Sequence, residues 1–572
     1  MRLMAFYVCT LVHATIALIG LGIVSLAYAQ SSSSVGVLQS PSLEIAPVAE
    51  TNALRNDGLA AKKINEVRWN KQTDPLVNEL LERTRLDLLR RNFTDAQIFE
   101  IQARLTRDLR QQGFLIGQIV ISAKDRLVFE KTGELYFTIF LGNIGQIVVK
   151  NTSAVNTAWV EVVADNTLCP DGVGNNCVVT KKKFERMTQL LQDTVGLQTG
   201  ALDFSAEGVP VGQTKLTIVT VAKDAQIKGS VGVDNQGFSS TGQYRLGTTL
   251  SANNLIGVGD VLALNLFVTN QASVSGIVEF SGPLTANGLR WQSSVSRSQF
   301  ALPSYNNTNG FGNSLSAGVS YSLVRGLDEN WTAGLNAVAV QTNSEIMGVN
   351  TTNKLLKSGQ LNLDGNSGDR SITLGQDAWF VHTALTMGQV SDSANTSTSS
   401  YQPLGAYTKF AFQGTGKLIL SDQHSIFSVL TVRGQLANTN LDPYERMMIG
   451  GYTNLRAYSV EQGSINQGTI SSLELRKTIN TEYGQFIPVI FTDYGNGWLN
   501  HATYPNWQVN SGYSNANLSN HMVASDAGLG LDWNSINAYT LSVSWARRLP
   551  SSPAGTYGNG NSQFWFVAQA RF

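Results

Sequence analysis

From about residue 226 to the last residue, apolar and polar residues alternate with a period of two. One segment alternates serine or glycine with the residues of its apolar face, which are Leu315, Ala317, Val319, Tyr321 and Leu323. An apolar face with aromatic ends, opposite a small or polar face, fits strands that separate lipid from water. Only a closed barrel satisfies the backbone hydrogen bonds of such strands. Residues 226–572 therefore predict an all-β transmembrane barrel, and at about 10 residues per strand they fit about 16 antiparallel strands.

A soluble β-sandwich also has alternating strands, and three features of the sequence argue against it. Two are the large number of strands and the export pattern of the first 29 residues, described below. The third is Phe572, which follows an alternating series of Phe564, Phe566, Ala568 and Ala570. A terminal aromatic residue on an alternating strand resembles the signal that barrel-assembly machinery reads, so we expect Phe572 to be that signal.

Residues 64–225 have the pattern of soluble helices and strands instead. Apolar residues at helical spacing predict one helix after Asp74-Pro75 through Arg91 and a second over 94–112, which Gly113 ends. A third helix is predicted near 181–194. Together these segments indicate an α+β region ahead of the barrel.

Short apolar segments between and after these helices predict strands at 114–122, 135–141, 146–150 and 215–221. The order of helices and strands predicts two successive units, 64–145 and 146–225. In each unit the helices would pack on a small sheet.

The first 29 residues have the pattern of an export signal. Arg2 is the only charged residue before Glu44, and an apolar stretch runs to about Leu26. Ala27-Tyr28-Ala29 then gives the small-x-small pattern of a signal-peptidase site. We expect a signal peptide at 1–29 and export to the outer membrane. A retained membrane anchor is the alternative, because the apolar run is long enough to span a bilayer.

Composition and cysteine usage agree with export. Only 14% of the 572 residues are charged and the net charge is zero, which gives no indication of nucleic-acid binding. Without the signal, Cys169 and Cys177 are the remaining cysteines, and in an oxidising compartment they predict one local disulfide. Two free buried thiols are the alternative, and a metal site would need more Cys or His nearby. Residues 30–63 have little pattern and are assigned to a linker.

The sequence has no recognisable catalytic motif. It contains no His-Glu-x-x-His, no Gly-x-Ser-x-Gly and no phosphate-binding glycine loop, and its five His are scattered. We therefore predict no enzyme activity, no cofactor and no metal.

The most informative segment is a long connection predicted at 438–468, which is rich in glycine and can fold into the lumen. Within it, segment 449–458 has one arginine, Arg456, between two tyrosines, and strand parity puts Phe491, Asp493 and Gly495 on one face of a later strand. A carboxylate on the lumen face needs a partner or water, and Arg456 is the obvious candidate. An exposed loop arginine and a solvated aspartate remain the alternative.

Several motifs carry a resemblance to a known family. Gly113-Phe114 and the segment Gly133–Phe137 match the repeat pattern of polypeptide-transport-associated (POTRA) domains. Val233–Gly237 and Asn253–Asp260 resemble the first two strands of a family barrel. The Phe-x-Asp-x-Gly motif is complete at Phe491, Asp493 and Gly495. Leu455-Arg456-Ala457-Tyr458 matches the loop motif Val-Arg-Gly-Tyr/Phe, with alanine in place of glycine.

Over nearly all of its predicted mature length the chain resembles TpsB outer-membrane transporters of two-partner secretion, of the haemolysin-activator, haemagglutinin-secretion and contact-dependent-inhibition type. The resemblance implies two POTRA domains at 64–145 and 146–225 in the periplasm, a plug helix within 30–63 and a 16-stranded barrel. It also implies an inward loop in which Arg456, Tyr458 and Gly451 meet the motif around Asp493.

The implied function is secretion of a large TpsA-type partner, such as an adhesin, a haemolysin or a contact-dependent inhibition toxin. The POTRA domains would bind the partner by adding a strand at exposed sheet edges, with 114–122 and 215–221 as candidates. The other expected partners are the barrel-assembly machinery and outer-membrane lipid, and the chain would be a monomer.

Two alternatives stay open from the sequence. A barrel-assembly or insertion factor of the same superfamily usually has more POTRA domains and a longer chain. A passive porin would lack both the soluble region and the Arg456–Asp493 pair.

Overall fold

The computed structural model describes residues 61–72, 74–174, 177–223, 225–271, 273–302, 307–373, 375–394, 403–510, 519–549 and 561–572. The expected signal peptide at 1–29 and nearly all of the linker with its implied plug helix lie outside these ranges. The chain divides into two compact units on either side of residue 224.

The first half of the N-terminal unit is a three-stranded sheet packed against helices. Its elements are β1 (Lys62–Lys63), β2 (Glu66–Trp69), α1 (Pro75–Leu88), β3 (Asn92–Phe93), α2 (Asp95–Gln111), β4 (Gln118–Val120), α3 (Ala123–Thr132) and β5 (Glu134–Phe140). The sheet order is β2-β5-β4, with β2 parallel and β4 antiparallel to β5. The side chain of Asp74 caps α1, Thr94 forms a capping box with Gln97 on α2, and Gly113 follows α2 with a φ of 101°. The helices predicted after Asp74 and at 94–112 are therefore confirmed.

The second half repeats this architecture. Its elements are β6 (Asn143–Asn151), α4 (Thr157–Leu168), α5 (Lys181–Gln192), β7 (Leu197–Ser205) and β8 (Gln213–Ala222). The sheet order is β6-β8-β7, with β6 parallel and β7 antiparallel to β8. Cys169 follows α4 and is joined to Cys177 in a disulfide.

Two details of this region differ from the sequence prediction. The strand expected at 114–122 is only β4, because Ser122 caps the new helix α3. The segment 215–221 is not an exposed edge, because β8 pairs with a neighbour on each side. The free edges of the second sheet belong to β6 and β7.

The C-terminal unit is a closed antiparallel barrel of 16 strands, which confirms the predicted fold class. The first eight strands are β9 (Ile227–Asp234), β10 (Arg245–Asn253), β11 (Val261–Thr269), β12 (Val274–Pro283), β13 (Leu289–Leu302), β14 (Thr308–Arg325), β15 (Asn330–Ile346) and β16 (Val349–Asn366). The helix α6 (Gly368–Thr373) follows them.

The second half of the barrel completes the ring. Its elements are β17 (Ala378–Asp392), β18 (Gly405–Ser421), β19 (Ile426–Ala437), the short pair β20 (Met447–Met448) and β21 (Ser464–Ile465), β22 (Gln467–Lys477), β23 (Ile479–Thr481), β24 (Gly484–Trp498), α7 (Trp507–Asn510), β25 (His521–Asn534), β26 (Tyr539–Arg548) and β27 (Ser562–Arg571). β22 and β23 both pair with β24 and form one interrupted strand of the wall. β27 pairs with β9 and closes the barrel.

One short stretch of the region predicted as barrel strands is helical instead. Residues 368–373 form α6, and the strand β17 begins at Ala378. This segment lacks the clear alternation seen elsewhere, since Asp369 and Arg370 at its start are both charged.

The alternation of the strands separates the two faces of the barrel wall. On β14, Leu315 and Leu323 are more than half exposed, and Leu529 on β25 is equally open. These are the apolar positions of the sequence pattern, so the apolar face points outward, as a lipid-facing wall requires. Among the residues that the structure describes, no helix combines the length and apolarity needed to cross a membrane.

Candidate functional site: the inward loop

The connection between β19 and β22, residues 438–466, folds against the inner face of the barrel wall. We call it the inward loop. Leu441, Ile449 and Leu455 are fully buried, and β20 and β21 pair with each other within the loop. Gly451 has a φ of 118°, and its N–H donates to the carbonyl of Tyr458 at 2.9 Å. A left-handed φ favours glycine at this bend.

Arg456 and Asp493 form the centre of the site. The Nε and Nη2 of Arg456 donate to the two carboxylate oxygens of Asp493 at 2.8 and 2.7 Å. The backbone N–H of Arg456 also donates to Asp493 at 3.2 Å. Asp493 is fully buried and Arg456 is 8% exposed. This two-point geometry fixes the orientation of the guanidinium as well as its position.

Three further side chains complete the surroundings of Arg456. Nη1 donates to Glu474 at 2.7 Å, and Nη2 donates to Ser472 at 2.7 Å, both on β22. The guanidinium carbon lies 3.3 Å from the ring centroid of Phe491, a cation–π contact. Burial acts to lower the pKa of Arg456, but hydrogen bonds and charges from Asp493 and Glu474 outweigh it and raise that pKa above its ordinary value. The arginine is therefore charged. We call this set of contacts the loop-tip contact.

Backbone groups beside Arg456 bind two other strands. The carbonyl of Arg456 accepts from Trp565 Nε1 on β27 at 2.7 Å. The N–H of Ala457 donates to Asp526 on β25 at 3.0 Å. Ala457 is not among the residues with positive φ. Alanine therefore meets no backbone strain at the position where the family motif has glycine.

The remaining predicted residues lie around the loop tip. Tyr458 is buried, with the guanidinium carbon of Arg548 4.3 Å from its ring centroid. A Cβ added at Gly495 would come within 3.0 Å of Leu455, so the glycine leaves room for the loop. Phe572 lies elsewhere: it exchanges backbone hydrogen bonds with Gly229 at 2.9 Å, next to the β27–β9 closure.

A second group of charges, absent from the sequence prediction, contacts the start of the inward loop. Asp442 pairs with Lys354 of β16 at 2.7 Å, and each side chain is 1% exposed. Glu445 pairs with Lys409 at 2.6 Å and accepts from the hydroxyl of Tyr407 at 2.7 Å, both on β18. We call these contacts the loop-base contact. The loop is thus held to two separate parts of the wall.

The comparisons with known proteins agree with this architecture. A family model described as haemolysin secretion/activation protein ShlB/FhaC/HecB matches residues 212–515, just over half of the chain. The heme/hemopexin transporter protein HuxB of Haemophilus influenzae (strain 86-028NP) is 23% identical over 471 residues, which cover 77% of this chain and 76% of HuxB.

Two solved structures have a similar fold. CdiB from Escherichia coli superposes with a TM-score of 0.69 at 15% identity, covering 94% of each chain. CdiB from Acinetobacter baumannii gives a TM-score of 0.67 at 16% identity, covering 98% of this chain and 99% of its own. The resemblance to TpsB transporters is therefore confirmed. The chain belongs to the ShlB/FhaC/HecB family of outer-membrane transporters, which secrete a partner exoprotein by two-partner secretion.

Proposed function

We propose that this chain recognises one large exoprotein with its N-terminal domains and passes it unfolded through the barrel, inside which Arg456 and Asp493 hold the inward loop in one position. The observation that carries the proposal is the loop-tip contact. A charged side chain with two carboxylate partners and a buried two-point geometry specifies one loop position inside the barrel.

The lengths of the connections support one orientation in the membrane. The three longest join β19 to β22, β24 to β25 and β26 to β27, and the strand ends that they join lie at the end of the barrel opposite to Ile227 and Arg571. Barrels of this kind have short periplasmic turns and longer extracellular loops. The N-terminal unit, which precedes β9 in the chain, would then be in the periplasm.

The N-terminal unit has the features of a binding module for an extended polypeptide. We assign its two halves, 64–145 and 146–225, to POTRA domains. β7 is an edge strand of nine residues and β4 is an edge of only three, whereas β6, the other edge of nine residues, is bridged at Asn143 to Val178. An unfolded chain adds as a strand more readily to the longer edge, because it gains more backbone hydrogen bonds there. We therefore place partner recognition at β7 rather than at 215–221.

The chemical class of the partner is a large exported protein of the TpsA type. Adhesins, haemolysins and contact-dependent inhibition toxins are the candidates, and the likeness to the heme/hemopexin transporter HuxB adds a haem- or haemopexin-binding exoprotein. Folding of the partner outside the cell would draw it through, so no nucleotide is required. The barrel-assembly machinery would insert the chain, which would act as a monomer.

Deletion of residues 64–222 tests the recognition step. The shortened chain is expected to insert as a folded barrel, which migrates faster on a gel when it is not heated. The partner exoprotein, identified as the large protein lost from the medium when this chain is absent, should stay inside the cell. Secretion at the full level by the shortened chain would contradict the recognition role of the N-terminal unit.

A further inference from the structure

The outer surface of the barrel has a recess that the transport function does not use. Its volume is about 670 Å³, and it crosses β14 to β18. Two rows of paired residues form most of it. One row is Ala317, Ala337, Gly359 and Met387, and the other is Leu315, Ala339, Lys357, Gln389 and Ala406. Small side chains make the floor, and Leu315, Met387 and Lys357 make the rim.

This recess faces away from the lumen. Leu315 and Met387 at its rim are 56% and 58% exposed. The alternate residues on the same strands, Val340, Leu356 and Val390, are instead buried with Leu441 of the inward loop. In an outer-membrane barrel, the recess is therefore covered by lipid.

Lys357 lies at one edge of the apolar band. Eight residues further along β16, Gly365 lies under the ring of Trp331. This ring marks the aromatic belt of the barrel, near the end at which β9 begins with Ile227. At about 3.3 Å per residue and a tilt of about 40°, Lys357 is about 20 Å from that belt along the barrel axis. The next row beyond Lys357 is mostly polar and consists of Arg297, Asn313, Gln341, Leu355 and Ser391. In the orientation proposed above, Lys357 thus lies at the level of the outer-leaflet headgroups.

The recess combines an apolar floor with one cation at headgroup level. The side chain of Lys357 is exposed. Among the residues that the structure describes, none forms a hydrogen bond or an ion pair with it. A lysine at the boundary of the apolar band is stabilised by an anion that reaches the same level. The amide of Gln389, in register with Lys357, can donate to the same anion.

We propose that this recess binds one phosphate-bearing acylated lipid of the outer leaflet. One acyl chain would lie on Ala317, Ala337 and Gly359, and the phosphate would bind the ammonium group of Lys357. The proposal rests on the membrane orientation given under the proposed function, but not on secretion itself. Loss of lipid binding and loss of secretion are therefore separate results.

The chain offers matched controls for both halves of the site. A Cβ at Gly359 meets nothing within 4 Å, so Gly359→Leu can fill the recess without a clash in the protein. Gly414 on β18 is equally open and has the same outward parity as Phe410 and Leu418, but it does not line the recess. Lys477 on β22 has the outward parity of the exposed Leu473 and Leu475, and it lies at the opposite end of the wall from the long loops. Gly414→Leu and Lys477→Ala are the corresponding controls.

Native mass spectrometry of the full-length protein in detergent, with added lipid A, tests the proposal. We expect one lipid A per barrel in the wild type and in both controls. Lys357→Ala should weaken binding by about fivefold or more, because it removes a charge-assisted contact, and Gly359→Leu should abolish the complex. Faster migration of unheated samples on a gel confirms that each variant is a folded barrel.

Two results would overturn the proposal. One is equal binding of lipid A by the wild type, Lys357→Ala and Gly359→Leu. The other is equal binding of lipid A and uncharged diacylglycerol by the wild type, since the phosphate would then contribute nothing. If Gly359→Leu does not yield a folded barrel, Lys357→Glu decides, because reversal of the charge should remove binding and leave the recess open.

Discussion

Asp493 receives three hydrogen bonds from Arg456, two from its guanidinium and one from its backbone N–H. A loop residue and a strand residue 37 positions apart are thereby fixed in both distance and orientation. A buried ion pair contributes little net stability compared with two apolar residues, but loss of Arg456 leaves the buried carboxylate of Asp493 without its counter-charge. We therefore expect this pair to act on loop position and not on barrel stability.

Arg456→Ala and Asp493→Ala should each reduce secretion strongly while folded barrel levels stay near those of the wild type. In Arg456→Ala the buried Asp493 loses its cation, at a cost of about 3–5 kcal/mol, and in Asp493→Ala the guanidinium keeps Glu474 but loses the two-point contact that fixes the loop tip. The double variant should secrete no less than the worse single variant, because both residues act on one contact. Secretion of the partner by the three variants is the measurement, and losses that multiply would mean that the residues act separately.

Asp526 allows a sharper test of the charge requirement at the loop tip. Asp526 and Asp493 are fully buried and lie directly opposite each other on β25 and β24. Asp526 accepts from the N–H of Ala457, and an asparagine oxygen can accept the same bond without a second negative charge. We expect Asp526→Asn to secrete nearly normally and Asp493→Asn to lose most secretion. Equal damage in the two variants would refute this assignment of the counter-charge.

The pair Lys354–Asp442 of the loop-base contact is buried, so loss of one partner should loosen the inward loop more than loss of both. Lys354→Met and Asp442→Leu should each increase proteolysis of the inward loop in folded barrels, because each leaves one charge buried without its partner. The double variant should restore protection, since two apolar side chains replace the pair. Lys357→Met, on the opposite face of the same strand, is the control and should leave cleavage unchanged. Greater cleavage in the double variant than in either single variant would contradict the pairing.

The disulfide should stabilise the second half of the N-terminal unit and leave the barrel unaffected. It closes a loop with a sequence separation of 8, for which the chain-entropy estimate is about 2–3 kcal/mol. Replacement of both cysteines by alanine should make 146–225 more sensitive to limited proteolysis in the full-length protein. The mobility of the unheated barrel on a gel should not change. Identical cleavage with and without the disulfide would show that the cross-link adds no stability.

The sequence was most informative where a period of two marks the faces of strands. Parity alone put Asp493 on the lumen face, and the loop motif supplied Arg456 as its partner. Glu474 has the same inward parity on the neighbouring strand, so pairing β22 with β24 in register would have revealed it. Lys354 and Asp442 are 88 residues apart in the chain, and no local pattern brings them together.

The helices that sequence patterns missed have a physical explanation as well. In α3 only Phe129 is buried, so the helix has no apolar stripe to recognise. In α4 the buried residues include Val160 and Val163, whose side chains favour strands as much as helices. The prediction that 215–221 is an exposed edge was wrong, because a strand's neighbours depend on how distant segments pair. Here β8 pairs with β6, which lies about 70 residues earlier in the chain.

Site-specific photo-crosslinking from the barrel wall tests most directly whether the partner passes through the lumen. Asn336 and Leu335 are adjacent on β15 and point to opposite faces: Asn336 bonds with the lumen-facing Gln292, and Leu335 is 58% exposed on the outer face. A photoreactive residue at position 336 should crosslink the partner during secretion, and the same residue at 335 should not. Equal crosslinking at both positions, or continued secretion with none at 336, would contradict translocation through this barrel.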